Sequence, residues 1–313
     1  MPLFSPPNIE QLIARMDERG LKKAQKYACK HGDAELEDSA REGWVEVTQL
    51  KMQPRNVQKK YAETRDPNPA VRVAAAKFIA TERVYSNAFY RLMVDPDLTV
   101  RRTVAWILAS KKSPLEPGFM IKFLSNPDEE IRAHTAHAMA YIVGWSVGLK
   151  YSSSPEETMD ALASALKDTP KVRAEAAFAL CHIFGGHLFM DGTVIASLIK
   201  QLAADPNPGV RLRMAQGLTE HYKNCNMILE KFLFVPAYEQ KSIMFLFELL
   251  KDEDAEVRAC VVEGLGAIGA KHYKSKDPFW KEFTDRLYQC MFEEKNIGMQ
   301  IMLKDAITQT LKH

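Results

Sequence analysis

The sequence predicts an all-α fold, a right-handed α-α superhelix of about six stacked helix pairs with capping helices. Three observations support this prediction: a Val-Arg or Ile-Arg dipeptide recurs along the chain, a polar turn precedes each copy, and apolar residues follow each copy at helical spacing. The length of 313 residues would by itself suggest about two ordinary domains. In a repeat protein, length instead reflects the number of stacked units.

The recurring dipeptide marks one helix of each unit. It occurs at intervals of 29, 31, 41, 38 and 47 residues, as Val71-Arg72, Val100-Arg101, Ile131-Arg132, Val172-Arg173, Val210-Arg211 and Val257-Arg258. A polar and mostly proline-bearing turn precedes each copy, as in Asp66-Pro67-Asn68-Pro69. Asp and Asn side chains accept hydrogen bonds from first-turn amides, and proline fits the first turn because its missing N–H is not needed there. Each turn therefore predicts a helix start.

Each of these helices is predicted to have an apolar seam and an upstream partner. Mostly small residues lie four positions after the Arg and large apolar residues seven positions after it, as Ala76 and Ile79 do in the first copy. Amphipathic stretches precede the turns at residues 89–93, 119–124, 159–166, 194–202 and 243–250. Each unit is thus predicted to be a helix pair.

The pattern D-x-x-x-x-V-R-x-x-x-A-x-x-L resembles the HEAT repeat, particularly the HEAT-like form named after phycobilisome lyases, over roughly residues 55 to 270. In such proteins the acidic turn residue and the Arg commonly form a ladder between neighbouring repeats. The resemblance implies a structural ladder of Asp66, Asp95, Asp168, Asp205 and Asp252 with Arg72, Arg101, Arg132, Arg173, Arg211 and Arg258. Asn126 replaces the acidic residue in one turn and is expected to weaken that rung.

The two ends of the chain lack the repeat, as expected of capping segments that cover the ends of a solenoid. Residues 1–54 are predicted to form divergent capping helices, at 9–16 and 21–31, interrupted by Trp44-Val45-Glu46-Val47. Residues 55–273 carry the repeats, and residues 274–313 two amphipathic capping helices, all in one continuous solenoid. Uneven repeat spacing predicts insertions at 144–155, 185–187 and 224–238, and long connections in a regular array are often functional.

Residues at the same offset from each Arg should form rows along stacked repeats. Offsets zero, four and seven form the seam, whereas offsets two, five and nine fall on the opposite side of the same helix. The resemblance to HEAT-like solenoids implies that this side lines the concave surface. In the middle repeats it carries Trp106, His134, His137, Tyr141, Glu175, Phe178, His182 and Arg213. Exposed aromatic and Arg side chains supply much of the binding energy at interfaces, so these residues are predicted to bind a partner. The alternative is that Trp106 and Phe178 are packed core and the histidines are solvated polar residues.

The composition and the motifs argue against several other classes of function. The chain has 42 Lys plus Arg against 40 Asp plus Glu, so a net charge of +2 favours neither nucleic acid nor membrane. Five scattered cysteines predict reduced thiols in a cytosolic protein, and no apolar run reaches the length of a membrane span.

No cofactor is predicted. His134 and His137, with Cys181 and His182 one repeat later, permit a metal site but do not demand one, so no metal is predicted. The glycine-rich segment 264–269 is predicted to serve close packing and a helix C-cap rather than phosphate binding.

These observations predict a non-catalytic interaction scaffold that binds a protein or peptide in the concave groove. The alternative is a DNA-binding protein resembling the DNA alkylation repair glycosylases, HEAT-like solenoids with aromatic and acidic residues in a basic groove. Trp106, Tyr141, Phe178 and Glu175 superficially fit that constellation. The same columns also hold Glu220 and Glu263, whereas phosphate binding needs a basic stripe, so a nucleic-acid partner is possible but not favoured.

Overall fold

The computed structural model describes residues 8–81, 88–111, 115–143, 155–184, 192–224, 237–272 and 278–311. These residues form seventeen α-helices and one short 3-10 helix, and no strand occurs among them. The predicted all-α fold class is therefore confirmed. The chain comprises two compact units, Met1–Ile107 and Leu108–His313.

The first unit opens with three helices that lack the repeat motif, α1 (Ile9–Ala14), α2 (Glu18–His31) and α3 (Ala34–Lys51). The side chains of Asn8, Asp17 and Asp33 cap the three helices by accepting hydrogen bonds from backbone amides of the first turns. The turn after α2 needs Gly32, whose φ of 69° lies in the left-handed region. These local signals place the helix ends.

The expected interruption at Trp44-Val45-Glu46-Val47 is wrong, because α3 continues through it. Ala40, Gly43, Val47 and Leu50 recur at helical spacing and are all buried, and α3 packs on α2. Burial of this stripe outweighs the slightly lower helix propensity of β-branched residues.

The remaining helices of the first unit are α4 (Arg55–Glu63), α5 (Pro69–Thr81), α6 (Ala88–Met93) and α7 (Leu98–Ser110). In α4 the buried residues are Val57 and Tyr61, four positions apart, and this helix packs against α5. Helices α5 and α7 carry the Val-Arg motif in their first turns, as the polar turns predicted.

The second unit continues the pattern with α8 (Pro117–Ile121) and a 3-10 turn (Lys122–Ser125), then α9 (Glu129–Val143), α10 (Pro155–Ala165), α11 (Pro170–Phe184), α12 (Gly192–Ala203), α13 (Pro208–Asn224), α14 (Ala237–Leu249) and α15 (Ala255–His272). The helices that carry the motif, α9, α11, α13 and α15, pack each against the next. Two further helices, α16 (Pro278–Glu293) and α17 (Ile297–Leu311), complete the unit, and α17 packs on α15 although it lacks the motif.

The predicted seam is the core of the second unit. The residues four and seven positions after each Arg are all buried: Ala136, Met139, Ala177, Leu180, Ala215, Leu218, Val262 and Leu265. Gly266 permits the close approach of α15 and α17, since a Cβ there would lie 2.9 Å from the Cα of Ala306. The close-packing role predicted for the glycine-rich segment is confirmed, but its C-cap role is wrong because α15 continues to His272.

Within the described ranges, no helix combines the length and apolar character that crossing a bilayer requires. Cys29, Cys181 and Cys290 are free thiols, and Cys225 lies outside the described residues. The predicted insertions at 144–155, 185–187 and 224–238 also lie largely outside them.

Candidate functional site

The motif arginines hold the turns that position the helices. In four of the six turns, those of Arg72, Arg101, Arg132 and Arg258, the Arg Nη1 donates to the carbonyls of two successive turn residues. Arg173 Nη1 and Arg211 Nη1 each donate to one turn carbonyl, at 3.4 Å to Asp168 O and at 2.9 Å to Asp205 O. Four of the arginines also pair with the Asp of the following turn. These pairs are Arg72–Asp95 (2.6 Å), Arg132–Asp168 (2.7 Å), Arg173–Asp205 (2.9 Å) and Arg211–Asp252 (2.7 Å). One side chain thus ties its own turn to the next repeat.

The remaining ladder residues serve their own turns. Arg101 and Arg258 each donate to two carbonyls of the turn that precedes their helix. Asp66 accepts a hydrogen bond from the backbone amide of Asn68. The side chain of Asn126, at the position where other turns carry Asp, likewise accepts from the amide of Asp128 at 3.0 Å. The turn geometry is therefore kept without a carboxylate.

Helices α9, α11 and α13 bring three of the predicted site residues into direct contact. His137 Nδ1 lies 2.9 Å from Glu175 Oε2 and 2.7 Å from Arg213 Nη2, and Arg213 Nη2 also donates to Glu175 Oε2. We call His137, Glu175 and Arg213 the charged triad. Its side chains are between 19% and 24% exposed, so they lie at the surface of the unit rather than in its core.

The charged triad contains a conflict between its hydrogen bonds. A single ring nitrogen can donate to a carboxylate or accept from a guanidinium, but it cannot do both at once. When Nδ1 of His137 carries a proton it suits Glu175 and repels Arg213, and when it does not, the preference reverses. The tautomer of the His137 ring therefore decides whether Nδ1 bonds Glu175 or Arg213.

The charges of the triad stabilise the ionised form of Glu175. Burial alone would raise the pKa of this carboxyl, but the hydrogen bonds from His137 and Arg213 and the Arg213 charge outweigh burial and lower the pKa. Arg213 also donates to Gln216 Oε1 at 2.6 Å. Its Nε is buried and has no hydrogen-bond partner among the described residues.

An aromatic layer lies beside the triad and consists of Tyr141, Phe178 and His182. The ring of Phe178 is stacked on His137 at 4.7 Å and on His182 at 5.8 Å, and the Arg213 guanidinium lies 4.3 Å from its centroid. Tyr141 packs at an angle to His182 at 5.0 Å. Stacking of a guanidinium on an aromatic face orients the guanidinium plane, so Phe178 positions Arg213.

Close packing of the helices supports this arrangement. A Cβ at Gly217 of α13 would lie 2.4 Å from the backbone oxygen of Phe178 on α11. Only glycine therefore permits this approach, which sets Arg213, one turn earlier on α13, over the Phe178 ring.

His182 has a structural role that sequence reasoning missed. Its Nδ1–H donates to Ala140 O of α9 at 3.1 Å, and His221 Nδ1–H donates in the same way to His182 O. Both acceptors lie in the last four residues of a helix, where carbonyls lack intrahelical donors. Each of these histidines therefore supplies a hydrogen bond to a carbonyl at the C-terminal end of the preceding motif helix.

Two aromatic residues are more buried than the predicted exposed surface requires. Phe178 is only 1% exposed and Tyr141 only 6%, so the expectation that their rings meet solvent is wrong. Neighbouring motif helices approach closely enough to cover them. Tyr141 OH lies 3.5 Å from Glu220 Oε1, and burial together with that carboxylate raises the pKa of Tyr141.

The two other predicted site residues, His134 and Trp106, make no hydrogen bond to the triad among the residues that the structure describes. His134 is half-buried, its Nε2 lies 3.7 Å from Glu130 Oε2, and burial lowers its pKa. Trp106 is 48% exposed and belongs to the first unit, whereas the triad and aromatic layer belong to the second.

The sequence columns contained the additional residues of the cluster but did not single them out. Gln216 and Glu220 stand at offsets five and nine on α13, and the structure places them against Arg213 and Tyr141. His221 follows at offset ten, and its only signal was its position beside the offset-nine column. Inter-helix bonds to backbone carbonyls leave no sequence pattern.

The groups that the cluster presents are hydrogen-bond donors and acceptors. Burial raises the pKa of the Cys181 thiol, which opposes formation of the reactive thiolate. Among the described residues, no three His, Cys, Asp or Glu side chains are grouped as metal ligands. What the face offers is donors and acceptors held in fixed positions over aromatic rings.

Comparisons with known proteins identify the repeat. A family model described as HEAT repeats matches residues 88–181 and 195–278, together more than half of the chain. No curated protein sequence matches the chain. Among solved structures it is similar to a chain of the CpcE–CpcF complex of phycocyanin lyase from Nostoc sp. PCC7120, with 16% identity over 83% of this chain and 97% of that chain, and a TM-score of 0.45. It is also similar to YibA of E. coli, with 17% identity, coverage of 97% and 96%, and a TM-score of 0.43. A chain of the Pds5–Scc1 complex gives 15% identity, coverage of 96% and 51%, and a TM-score of 0.47.

Proposed function

The chain belongs to the HEAT repeat family, and on this premise we propose that it is a non-catalytic binding module for a protein or peptide partner. The partner would bind on the face of α9, α11 and α13 that presents the charged triad. The observation that carries this proposal is the triad itself, three partly exposed polar side chains from consecutive repeats on a buried aromatic layer. The free cysteines support a reducing, cytosolic location.

A peptide matches this face because peptides offer donors and acceptors together. Glu175 can accept a hydrogen bond from a partner amide, and Arg213 can donate to a partner carbonyl or carboxylate. Both side chains are already oriented, Glu175 by His137 and Arg213 by Phe178. Orientation before binding reduces the entropy cost of ordering side chains at an interface.

A DNA-binding function fits this face less well. Duplex binding depends on arginine and lysine contacts with phosphates. Here Glu175 contacts Arg213 directly, and Glu220 lies on the same helix as Arg213. A carboxylate bonded to the guanidinium and a second one farther along the same helix oppose the approach of a phosphate backbone. Nuclease treatment of a captured complex distinguishes the two functions, since only a protein partner would remain.

The test begins with affinity capture of a partner from native lysate, followed by calorimetry with the purified partner. Arg213→Met should weaken binding about tenfold or more, as expected for a central Arg at an interface. Arg286→Met is the matched control because Arg286 also pairs with a glutamate, Glu248, but lies on α16 outside the face. Equal affinities of wild type and Arg213→Met, with both proteins folded by circular dichroism, would remove the face from the interaction.

The histidine of the triad supports the proposed binding face through its contact with Glu175. His137→Leu should weaken partner binding in the same calorimetric assay, because Glu175 loses a side chain that orients it. Equal affinities of wild type and His137→Leu would exclude His137 from the binding mechanism. Trp106→Ala tests separately whether the exposed tryptophan of the first unit contributes to partner binding. Phe292→Ala is its control, because Phe292 is also an exposed aromatic residue.

A further inference from the structure

A second polar cluster lies in the first unit, away from the repeat ladder. Arg65 follows α4, Arg91 lies on α6, and both guanidinium groups approach the carboxylate of Glu10 on α1. Arg65 Nη2 and Nε lie 3.2 and 3.4 Å from Glu10 Oε2, and Arg91 Nη1 lies 3.7 Å from the same oxygen. The Glu10 side chain is 63% exposed, whereas those of Arg65 and Arg91 are 14% and 26% exposed.

Contacts other than Glu10 hold the two arginines in place. Arg91 Nη2 donates to Thr64 Oγ1 at 2.7 Å, and Thr64 is buried at the end of α4. Arg65 lies over the ring of the buried Tyr61 at 5.4 Å. The buried Glu46 contributes a carboxylate 4.0 Å from Arg65 Nη2. The two guanidinium groups would therefore keep their positions if Glu10 moved away.

Glu10 satisfies this pair of cations incompletely. Its three contacts are longer than the 2.7–2.9 Å typical of charge-assisted hydrogen bonds, and one oxygen serves both arginines. Burial and the neighbouring Arg65 charge lower the pKa of Arg91 to about 10, although the nearby carboxylates, that of Glu10 included, act in the opposite direction. Arg65 Nη1 is buried and has no hydrogen-bond partner within the part of the chain that the structure describes.

We propose that Arg65 and Arg91 form a binding site for a phosphoryl group, and that Glu10 occupies this site as a tethered, displaceable substitute. A phosphate monoester carries up to two negative charges and several acceptor oxygens, so it can bond both guanidinium groups at once. Glu10 is a weak competitor because it is exposed and lies on α1, a helix of only six residues. This site is independent of the proposed partner-binding face.

Calorimetric titration at matched ionic strength tests the site with two probes, inorganic phosphate and N-acetyl-phosphoserine amide. Glu10→Gln should bind them about fivefold more tightly than wild type, the size of effect expected from removing an exposed ion pair. Arg65→Gln and Arg91→Gln should each weaken binding at least tenfold. Arg41→Gln is the matched control, because Arg41 on the nearby α3 also forms an ion pair, with Asp38, in which both side chains are exposed.

Tighter binding of the phosphoserine probe would identify the ligand as a phosphorylated side chain, and equal or tighter binding of inorganic phosphate would identify a free phosphate. Either result supports the site when the Glu10 and arginine variants behave as stated. Absence of binding by both probes would overturn the proposal, and so would equal affinities of Glu10→Gln and wild type. Because Glu10 is exposed, this second test does not depend on whether the arginine variants fold.

Discussion

Replacing Arg211 by methionine tests how the ladder stabilises the second unit. Arg211 and Asp252 have side chains only 7% and 5% exposed, and they are joined by two bonds of 2.7 and 2.8 Å. Removing one partner of a buried ion pair typically costs about 3–5 kcal/mol, because the other charge is left buried and unpaired. Asp252 keeps a 2.8 Å bond from the Asp254 amide, so we expect a loss near the lower end, about 3 kcal/mol.

Arg258→Met provides the matched control at the same motif position. Arg258 Nη1 donates to the carbonyls of Asp252 and Glu253, and no carboxylate bond to Arg258 occurs among the described residues. Loss of hydrogen bonds to neutral acceptors should cost about 1 kcal/mol. The two variants therefore separate the ion pair between repeats from the bonds within a turn.

Urea unfolding at neutral pH, followed by far-ultraviolet circular dichroism, measures both losses. A difference of about 2 kcal/mol between the variants corresponds to about 4–8 °C in melting temperature for a unit of this size. The double variant Arg211→Met/Asp252→Asn should recover part of the loss, since it removes the unpaired charge. Equal losses for Arg211→Met and Arg258→Met would mean that the Arg211–Asp252 ion pair adds no stability beyond that of the hydrogen bonds within the turn.

Three further predictions concern acid stability and packing. The hydrogen bond from Arg132 lowers the pKa of Asp168, so its contribution to stability is present above the unfolded-state value of about 4 and is lost as the pH falls below it. The unfolding free energies of wild type and Asp168→Asn should therefore differ fully at about pH 6 and converge below about pH 4, and a difference that stays constant in acid would contradict this. Phe178→Ala should cost about 3–5 kcal/mol in urea unfolding, whereas Trp106→Ala should cost no more than about 1 kcal/mol, and similar losses would contradict the burial of Phe178. Gly217→Ala should cost about 1–3 kcal/mol because its Cβ would meet the Phe178 backbone, while Gly298→Ala, at an exposed helix start, should be nearly neutral in the same assay.

The helix pairs were predictable because their signals are local. A turn such as Asp205-Pro206-Asn207-Pro208 caps and begins a helix through contacts within a few residues, and the seam at Ala215 and Leu218 follows from the helical period. The error at residues 44–47 arose where burial of a long helix overrode a weak local preference. Propensity is a small term beside the burial of several apolar side chains.

The site was predictable only as a set of columns. Offset counting placed His137, Glu175 and Arg213 on one side of three helices, and the structure joins them within hydrogen-bond distance. The offsets alone could not show that Phe178 and Tyr141 are buried, because burial depends on the distance between helices as well as on the side of the helix that a residue occupies. That distance is set in part by Gly217, whose missing Cβ lets α13 approach α11.

Periodicity and capping are properties of neighbouring residues, so the all-α repeat, the helix starts and the residue types on each side of the motif helices follow from the order of the residues. How those residues meet follows from the packing of the helices. That packing paired Arg65 and Arg91 on Glu10 across more than fifty residues of chain, and it placed His182 on a carbonyl of the preceding repeat. Such contacts form only when the helices are placed to within a few tenths of an ångström, and no spacing along the chain encodes that placement.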